Sequence, residues 1–421
     1  MSMQVVAAAV LGMFIVFATR YRLKRSAASP TKEVPLPAVF HTPRSEKVPL
    51  PAERITELVA TAKSLCASGK GFLASDESAG PWLRAGHVQA KKIPDTAENR
   101  AAYRSMCFTT PGLSQYISGV ILHWETLFQK DAKGNDMVDL IRDNGMIPGI
   151  KLDKGYDKTG LPGTATGPLG HPETWCKGID DLAKRAAEAY AQGARFAKWR
   201  NVLQIDPKQE LPSALAIHEC VNNLACYAAI CQREGLVPIV EPEIVPNGSH
   251  SIQVCAEVTE KVLIAQYKAL ELHNVHLEGA VLKPNMVKNG LGGSKAPPDE
   301  VAKLTVTALM RSVPVANPGI FFLSGETTLD EDNEETATIN LNAMNKAYRS
   351  LPWHLSFSYG KALQKTAIVT WMGKAANAAK AQKALLARAK ANSEATKGAY
   401  VPGSCKSVGP EGNVQMQGGA Y

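Results

Sequence analysis

Residues 278–284 read EGAVLKP: apolar from Gly279 to Leu282, then Lys283. A buried ammonium is costly unless a carboxylate pairs with it or its pKa shifts to favour the neutral amine. Taken alone, Lys283 marks the point where a strand meets solvent, because lysine is almost never buried unpaired. Other runs end in the same way. Asp76 closes GFLASD (71–76), and Lys151 and Asp153 lie in IPGIKLD (147–153). Lys198 lies in RFAKW (195–199), with Arg200 next, and Glu241 and Glu243 lie in LVPIVEPE (236–243). Three lysines facing two or more carboxylates have a chemical meaning. Lysines crowded in a low-dielectric site depress one another's pKa. A neutral amine can then attack a carbonyl and form a Schiff base, which draws electrons from the adjacent carbon. A neighbouring carboxyl can relay the protons of carbinolamine formation and dehydration. This chemistry needs no metal. The remaining cations suit phosphate groups.

Something must bring these distant positions together. Eight short apolar runs occur from residue 71 onward: 71–76, 117–122, 147–153, 195–199, 236–243, 279–284, 319–324 and 354–359. Between them lie helix-periodic stretches such as 179–192, 214–232 and 300–311. Alternation of this kind predicts an α/β fold, a parallel (β/α)₈ TIM barrel. A doubly wound sheet would want a Gly-rich phosphate loop after the first strand, and GxGxxG is absent there. The barrel places its active site at the C-terminal ends of the strands. The phosphate site of such barrels follows strands 7 and 8, where Ser324-Gly325 and Gly360-Lys361 fall. Residues 362–392 predict C-terminal amphipathic helices. From residue 402 the chain is Gly- and Ser-rich, as a flexible tail would be, and it ends in Tyr421.

The totals bound the alternatives. The 421 residues are 45% hydrophobic and 20% charged, an ordinary globular balance. A net charge of +8 without a dense basic stripe gives no sign of nucleic-acid binding. Eight dispersed cysteines with no C-x-x-C spacing read as reduced thiols. The nine histidines form no metal-binding cluster. Residues 1–50 stand apart from this domain. Val5–Ala18 is apolar or glycine throughout and is followed by Arg20, Arg22, Lys24 and Arg25; a Pro-rich stretch then runs to Pro51. This predicts a targeting peptide or a signal anchor, with membrane contact through residues 5–18. The expected domains are therefore 1–50, 51–401 and a tail over 402–421.

With these elements in place, a resemblance emerges. GKGFLASDES (69–78), GIKLDKG (149–155), FAKWR (196–200), VPIVEPEI (237–244), LEGAVLKPNMV (277–287), FLSG (322–325), INLNAMN (339–345) and FSYGKALQ (357–364) resemble class I fructose-1,6-bisphosphate aldolase. The match spans roughly residues 50 to 421. GLSQYISGVIL (112–122) and QGARFAKWR (192–200) look most like plastid-type members. The resemblance implies reversible cleavage of fructose 1,6-bisphosphate to dihydroxyacetone phosphate and glyceraldehyde 3-phosphate, with no cofactor and no metal. It implies that Lys283 forms the Schiff base, that Asp76 helps cleave the C3–C4 bond, and that Glu241 relays protons, supported by Glu243. It implies that Lys198 stabilises the carbinolamine and that Tyr421 exchanges a proton at C3. Lys151 and Arg200 would place the substrate and its distal phosphate, and Ser78 and Arg84 would be further substrate- or phosphate-binding residues. Ser324, Gly325, Gly360 and Lys361 would hold the C1 phosphate. A homo-oligomer, a tetramer in the family, is implied too. A plastid location is expected, with a cytoplasmic or membrane-anchored protein as the alternative.

The departures from the family pattern touch phosphate binding. Pro81 replaces a serine and Ala85 an arginine. Glu326 replaces a glycine and opens an acidic insertion, and Lys361 replaces an arginine. They motivate two alternatives: the same chemistry on another sugar phosphate, such as sedoheptulose 1,7-bisphosphate, or a tethered scaffold without activity.

Overall fold

A computed structural model describes residues 49–76, 93–325 and 333–405. The N-terminal segment with its apolar run, Ser78, Pro81, Arg84, Ala85, Glu326 and Tyr421 lie outside the described residues.

Eight parallel strands pair in sequence order and close on themselves, β1 with β8. They are β1 Gly71–Ser75, β2 Ile117–Leu122, β3 Ile147–Lys151, β4 Phe196–Leu203, β5 Val237–Ile244, β6 Val281–Leu282, β7 Gly319–Phe322 and β8 His354–Tyr359. Helix α1 (Ala52–Leu65) precedes the barrel. The first four helices within it are α2 (Ala97–Phe108), α3 (Trp124–Leu127), α4 (Met137–Asp143) and α5 (Leu182–Ala191). Then follow α6 (Ala214–Arg233), α7 (Ile252–Leu272), α8 (Pro298–Ser312), α9 (Asn333–Ala347), α10 (Lys361–Trp371) and α11 (Ala378–Thr396). The expected (β/α)₈ barrel is what forms. Ser213 and Ser251 start α6 and α7 by accepting from Ala216 N–H (3.1 Å) and Val254 N–H (3.3 Å), the usual satisfaction of a helix's first donors.

Period two along each strand separates an inner from an outer face. The inner face carries Phe72, Ala74, Ile121, Phe196, Val237, Ile239, Val281 and Phe321, and α1 packs against it with Leu58, Ala62 and Leu65. Phe72 stacks on Phe321 at 4.1 Å and on Phe196 at 5.4 Å between ring centroids. One end of the barrel is therefore dry and closed by α1. The outer faces pack against the helices in a second, larger core that includes Trp199 and Tyr227.

Gly149 shows how tightly the inner layer fits. A Cβ there would lie 2.3 Å from the Phe196 ring. Gly149→Ala should therefore lower stability by about 1–3 kcal/mol, the usual cost of overpacking. Thermal denaturation checks it, and Phe196→Leu in the same chain should recover part of the loss.

Two expectations shift. The run 279–284 gives only a two-residue strand, because Leu277–Gly279 turns as a 3₁₀ helix and Pro284 has no N–H to donate. Lys283 stays in register all the same, since its N–H donates to Val240 O (2.8 Å). The first described residues of the expected tail, 402–405, are also tied to the barrel. Tyr400 donates its hydroxyl to Glu335 (2.8 Å), Gly403 N–H donates to the same carboxylate, and Arg388 Nη1 donates to Cys405 O (2.5 Å). These bonds fix the chain as far as Cys405.

All eight cysteines are free thiols, as expected. Burial pushes the Cys66 and Cys107 thiols up to about 12, so both stay protonated and inert. Among the described residues one helix, α6, is long and apolar enough to cross a membrane. It is half buried and packs on β4, β5 and α7 as a barrel helix.

Candidate active site

The inner parity that is apolar at the closed end turns ionisable two residues further on. Ala74 is followed by Asp76, Phe196 by Lys198 and Arg200, Ile239 by Glu241 and Glu243, Val281 by Lys283, and Gly149 by Lys151 and Asp153. Strand pairing aligns them laterally. Lys151 pairs with Lys198, and Arg200 with Glu241. One cluster of four cations and four carboxylates results at the C-terminal end of the barrel.

The contacts form a chain. Lys283 Nζ lies 3.0 Å from Glu241 Oε1, and Lys198 Nζ lies 3.1 Å from Glu241 Oε2. The same Lys198 Nζ lies 2.7 Å from Asp76 Oδ2. These four side chains are at most 5% exposed. Asp76 Oδ2 and Glu241 Oε2 sit close to the ammonium but lack an aligned hydrogen bond, so both keep acceptor capacity. Beside this chain, Lys151 is bound to the Asp153 carboxylate and to its carbonyl oxygen (3.2 Å). Arg200 donates through Nε to Glu243. Asp153 also accepts from Gly155 N–H (3.1 Å) and Arg200 N–H (3.3 Å).

Pairing decides the protonation states. Burial alone would raise the Asp76 carboxyl, but the Lys198 and Lys283 charges outweigh it and hold it far below the usual carboxylate range. Burial likewise opposes ionisation of Glu243, and the Arg200 guanidinium overrides it. Burial alone would lower the Lys198 ammonium; Asp76 and Glu241 instead hold it well above the ordinary lysine value. This corrects the expectation drawn from crowded lysines. Lys198 is not made neutral by its basic neighbours, because Asp76 (2.7 Å) and Glu241 (3.1 Å) pair with it directly.

The signs give a pH window. The depressed Asp76 and Glu243 contribute stability that is complete above about pH 4 and lost as pH falls through their folded values. The raised Lys198 contributes stability that is complete below about pH 10.5 and lost as pH rises through its folded value. Asp76, Glu243 and Lys198 should therefore add no pH dependence to the melting temperature between these limits. Below pH 4, Asp76→Asn should show a shallower decline than the parent chain. Equal slopes for the two proteins would mean that Asp76 does not carry the acid limb.

The phosphate candidates after β7 and β8 border the same mouth. Ser324 and Gly325 follow β7, and Gly325 takes a φ of +69°. A Cβ on it would lie 3.3 Å from Lys288 Nζ, so the glycine lets that ammonium approach the loop. Gly360 is the N-cap of α10 and Lys361 its first residue. The first N–H groups of a helix are natural phosphate donors. Gln364 on α10 donates to Ala74 O (2.7 Å), which ties this helix start to the end of β1 beside Asp76.

Several residues are not marked by the motifs. His123 follows Ile121 on the inner parity of β2, and that parity is the signal that could have found it. Burial, then the charges of Arg104 and Lys151, keep its imidazole below the ordinary value. Ser358, two residues before Gly360, has a buried hydroxyl with no hydrogen-bond partner among the described residues. Arg104 on α2 donates to Ser75 O (3.2 Å) next to Asp76. Nothing in its local sequence marks it.

Comparison with known proteins decides the family. The profile described as "Glycolytic: Fructose-bisphosphate aldolase class-I" matches residues 57–421. The chain belongs to the class-I fructose-bisphosphate aldolases. The cytoplasmic isozyme of Spinacia oleracea is 51% identical over 348 residues, covering 83% of this chain and 93% of that protein. Fructose-bisphosphate aldolase B of Bos taurus is 49% identical over 354 residues, covering 84% and 93%. A solved fructose-bisphosphate aldolase from Plasmodium falciparum superposes with a TM-score of 0.78 at 49% identity, covering 84% of this chain and 98% of that one. The aldolase assignment fits the charged mouth: members of this class are carbon–carbon lyases that work through a Schiff base. A second plant relative, from Arabidopsis thaliana, is 52% identical over 348 residues, covering 82% of this chain and 84% of that protein, and is also cytosolic by name.

Proposed function

We propose that Lys283 is the Schiff-base lysine of this aldolase and that Asp76, Lys198 and Glu241 serve it in one proton-handling chain. The observation that carries this is the single carboxylate of Glu241 held between two ammoniums, Lys283 at 3.0 Å and Lys198 at 3.1 Å. Glu241 takes a proton from the Lys283 ammonium, and the amine so freed attacks the C2 ketone of fructose 1,6-bisphosphate. Glu241 returns that proton to the carbinolamine oxygen and then relays a second from the carbinolamine nitrogen, so that the oxygen leaves as water and gives the iminium. Lys198, held charged, stabilises the oxygen as it develops negative charge. Asp76, held ionised, accepts the C4 hydroxyl proton while the C3–C4 bond breaks. The bonding electrons pass into the iminium and give an enamine, and the aldehyde triose phosphate departs. Tyr421 then returns a proton to C3. Glu243 keeps Arg200 in place. Lys151 and Arg200 hold the distal phosphate, Ser324, Gly325 and Gly360 hold the C1 phosphate, and Ser78, Arg84 and Lys361 add to phosphate binding.

Borohydride added with fructose 1,6-bisphosphate should fix the sugar to Lys283, and peptide mass mapping reads the site. An adduct on another lysine would end this assignment. The substrate range is tested with the same protein. Lys361 keeps a charge but lacks the bidentate fork of arginine, so kcat/KM for the six-carbon and seven-carbon bisphosphates should be compared. A clear preference for the seven-carbon sugar would replace the substrate and leave the chemistry intact.

Cytosolic plant relatives support a cytoplasmic location for the barrel. The plastid, membrane-contact and anchor readings rest on residues 1–50, which we assign to delivery rather than chemistry; the mass of the mature N-terminus decides among them. Exposed Ile264, Leu272 and Met310 on α7 and α8 support a homo-oligomer.

A further inference from the structure

A second basic site lies at the opposite end of the barrel. The loops that lead into β1 and β8, together with the end of α11, enclose a cavity of about 360 Å³. Its lining includes Lys70, Arg349, His354 and Lys397, and no aspartate or glutamate. Glu394, one turn before Lys397, is turned toward Lys390 at 3.8 Å. Among the described residues no carboxylate comes within ion-pair distance of Lys70, Arg349 or Lys397. Several other exposed or half-buried arginines do find carboxylates: Arg100 with Asp95 and Glu125, Arg185 with Asp181, and Arg311 with Glu260.

The cavity is built by packing. Gly69 takes a φ of +77°, and a Cβ on it would lie 2.6 Å from Lys397 Cε and 3.0 Å from its Nζ. The lysine arm therefore crosses directly over the glycine, which holds its ammonium at the loop. Lys70 is fixed through its carbonyl, which accepts from Ser356 Oγ (2.6 Å) on β8. Trp353 is buried and anchored by donating to Pro314 O (2.8 Å). Like charges gathered at one concavity raise each other's energy, and an anion placed among them removes that cost.

We propose that this cavity is a binding site for a small phosphorylated ligand carrying two or more negative charges, separate from the catalytic mouth. Three basic side chains exceed what one singly charged group neutralises. Arg349 can meet a phosphate through two parallel N–H groups, and Lys70 and Lys397 add point charges. Thr396, Ser68 and Asn345 in the same wall add neutral polar groups. The volume falls within the range of small-molecule sites, about 300–1,000 Å³. Gly71 and His354 begin their strands, so this is the N-terminal face of the barrel, whereas Lys283 and Glu241 belong to the other face.

The test is calorimetric titration of pyrophosphate into the full chain and into the Arg349→Gln/Lys397→Gln variant. The parent chain should show a binding component that the variant weakens by about tenfold or more, since two charge-assisted contacts are removed. That component should weaken as salt is raised. kcat and KM for fructose 1,6-bisphosphate should stay unchanged, because Arg349 and Lys397 lie at the opposite end of the barrel from Lys283 and Glu241; pyrophosphate held in the mouth gives a component common to both proteins. Arg349→Lys should keep most of the affinity. Identical titrations for parent and variant would overturn the proposal, and so would loss of turnover together with binding. Should the double variant fail to fold, Lys70→Gln carries the same comparison.

Discussion

Replacing Lys283 by methionine should lower kcat by about 10⁴- to 10⁶-fold, the scale on which loss of an essential nucleophile is felt. Methionine fills nearly the same volume, so the fold should survive. The Val281–Leu282 strand and the bond from the residue 283 N–H to Val240 O are untouched by the change. What disappears is the amine, and with it the borohydride adduct. Glu241 keeps one cationic partner, Lys198 at 3.1 Å, so its charge is not stranded. Turnover, adduct mass and melting temperature together decide the matter. Retained turnover with no adduct would mean that another group attacks the ketone.

Glu241→Gln should lower kcat by about 10²- to 10⁴-fold, the usual contribution of a positioned acid–base group. Its signature should differ from that of Lys283→Met. A glutamine has one oxygen and one NH₂ where the carboxylate has two acceptors. Lys283 and Lys198 approach opposite oxygens of Glu241, so the amide NH₂ must face one of the ammoniums, donor against donor. Loss of the charge also leaves a buried cation without full compensation, a change that typically costs about 3–5 kcal/mol. The adduct should still form on Lys283, but slowly, because the amine remains and the proton relay is gone. Rapid-quench trapping separates slow formation from absence. An adduct that forms at the parental rate would show that Glu241 is not the relay.

Much of the charged cluster is legible in the residues alone. Lys283, Lys198, Lys151 and Glu241 stand at the polar limit of runs that are otherwise apolar, and Asp76 ends such a run. Buried strands rarely tolerate charge unless chemistry or pairing requires it. Because a strand alternates faces with period two, each of these residues shares a face with an apolar residue two positions earlier, such as Val281 or Ile239. Eight repetitions of strand and helix then leave few architectures, and the closed barrel is the one found.

The sequence by itself therefore determined the barrel, the face on which the charges gather and the reaction class, because periodicity and residue chemistry are local properties. Only the tertiary structure decided which charge meets which. Glu241 lies between Lys283 and Lys198, Lys151 turns to Asp153, and Arg200 turns to Glu243, because strand register and barrel closure set distances across positions far apart in the chain. The same pairing reversed the expected direction for Lys198, since an ammonium follows its nearest carboxylates rather than the composition around it. Arg104 and the basic cavity around Lys397 were invisible for the same reason. Each is assembled from segments that become neighbours only when the barrel closes.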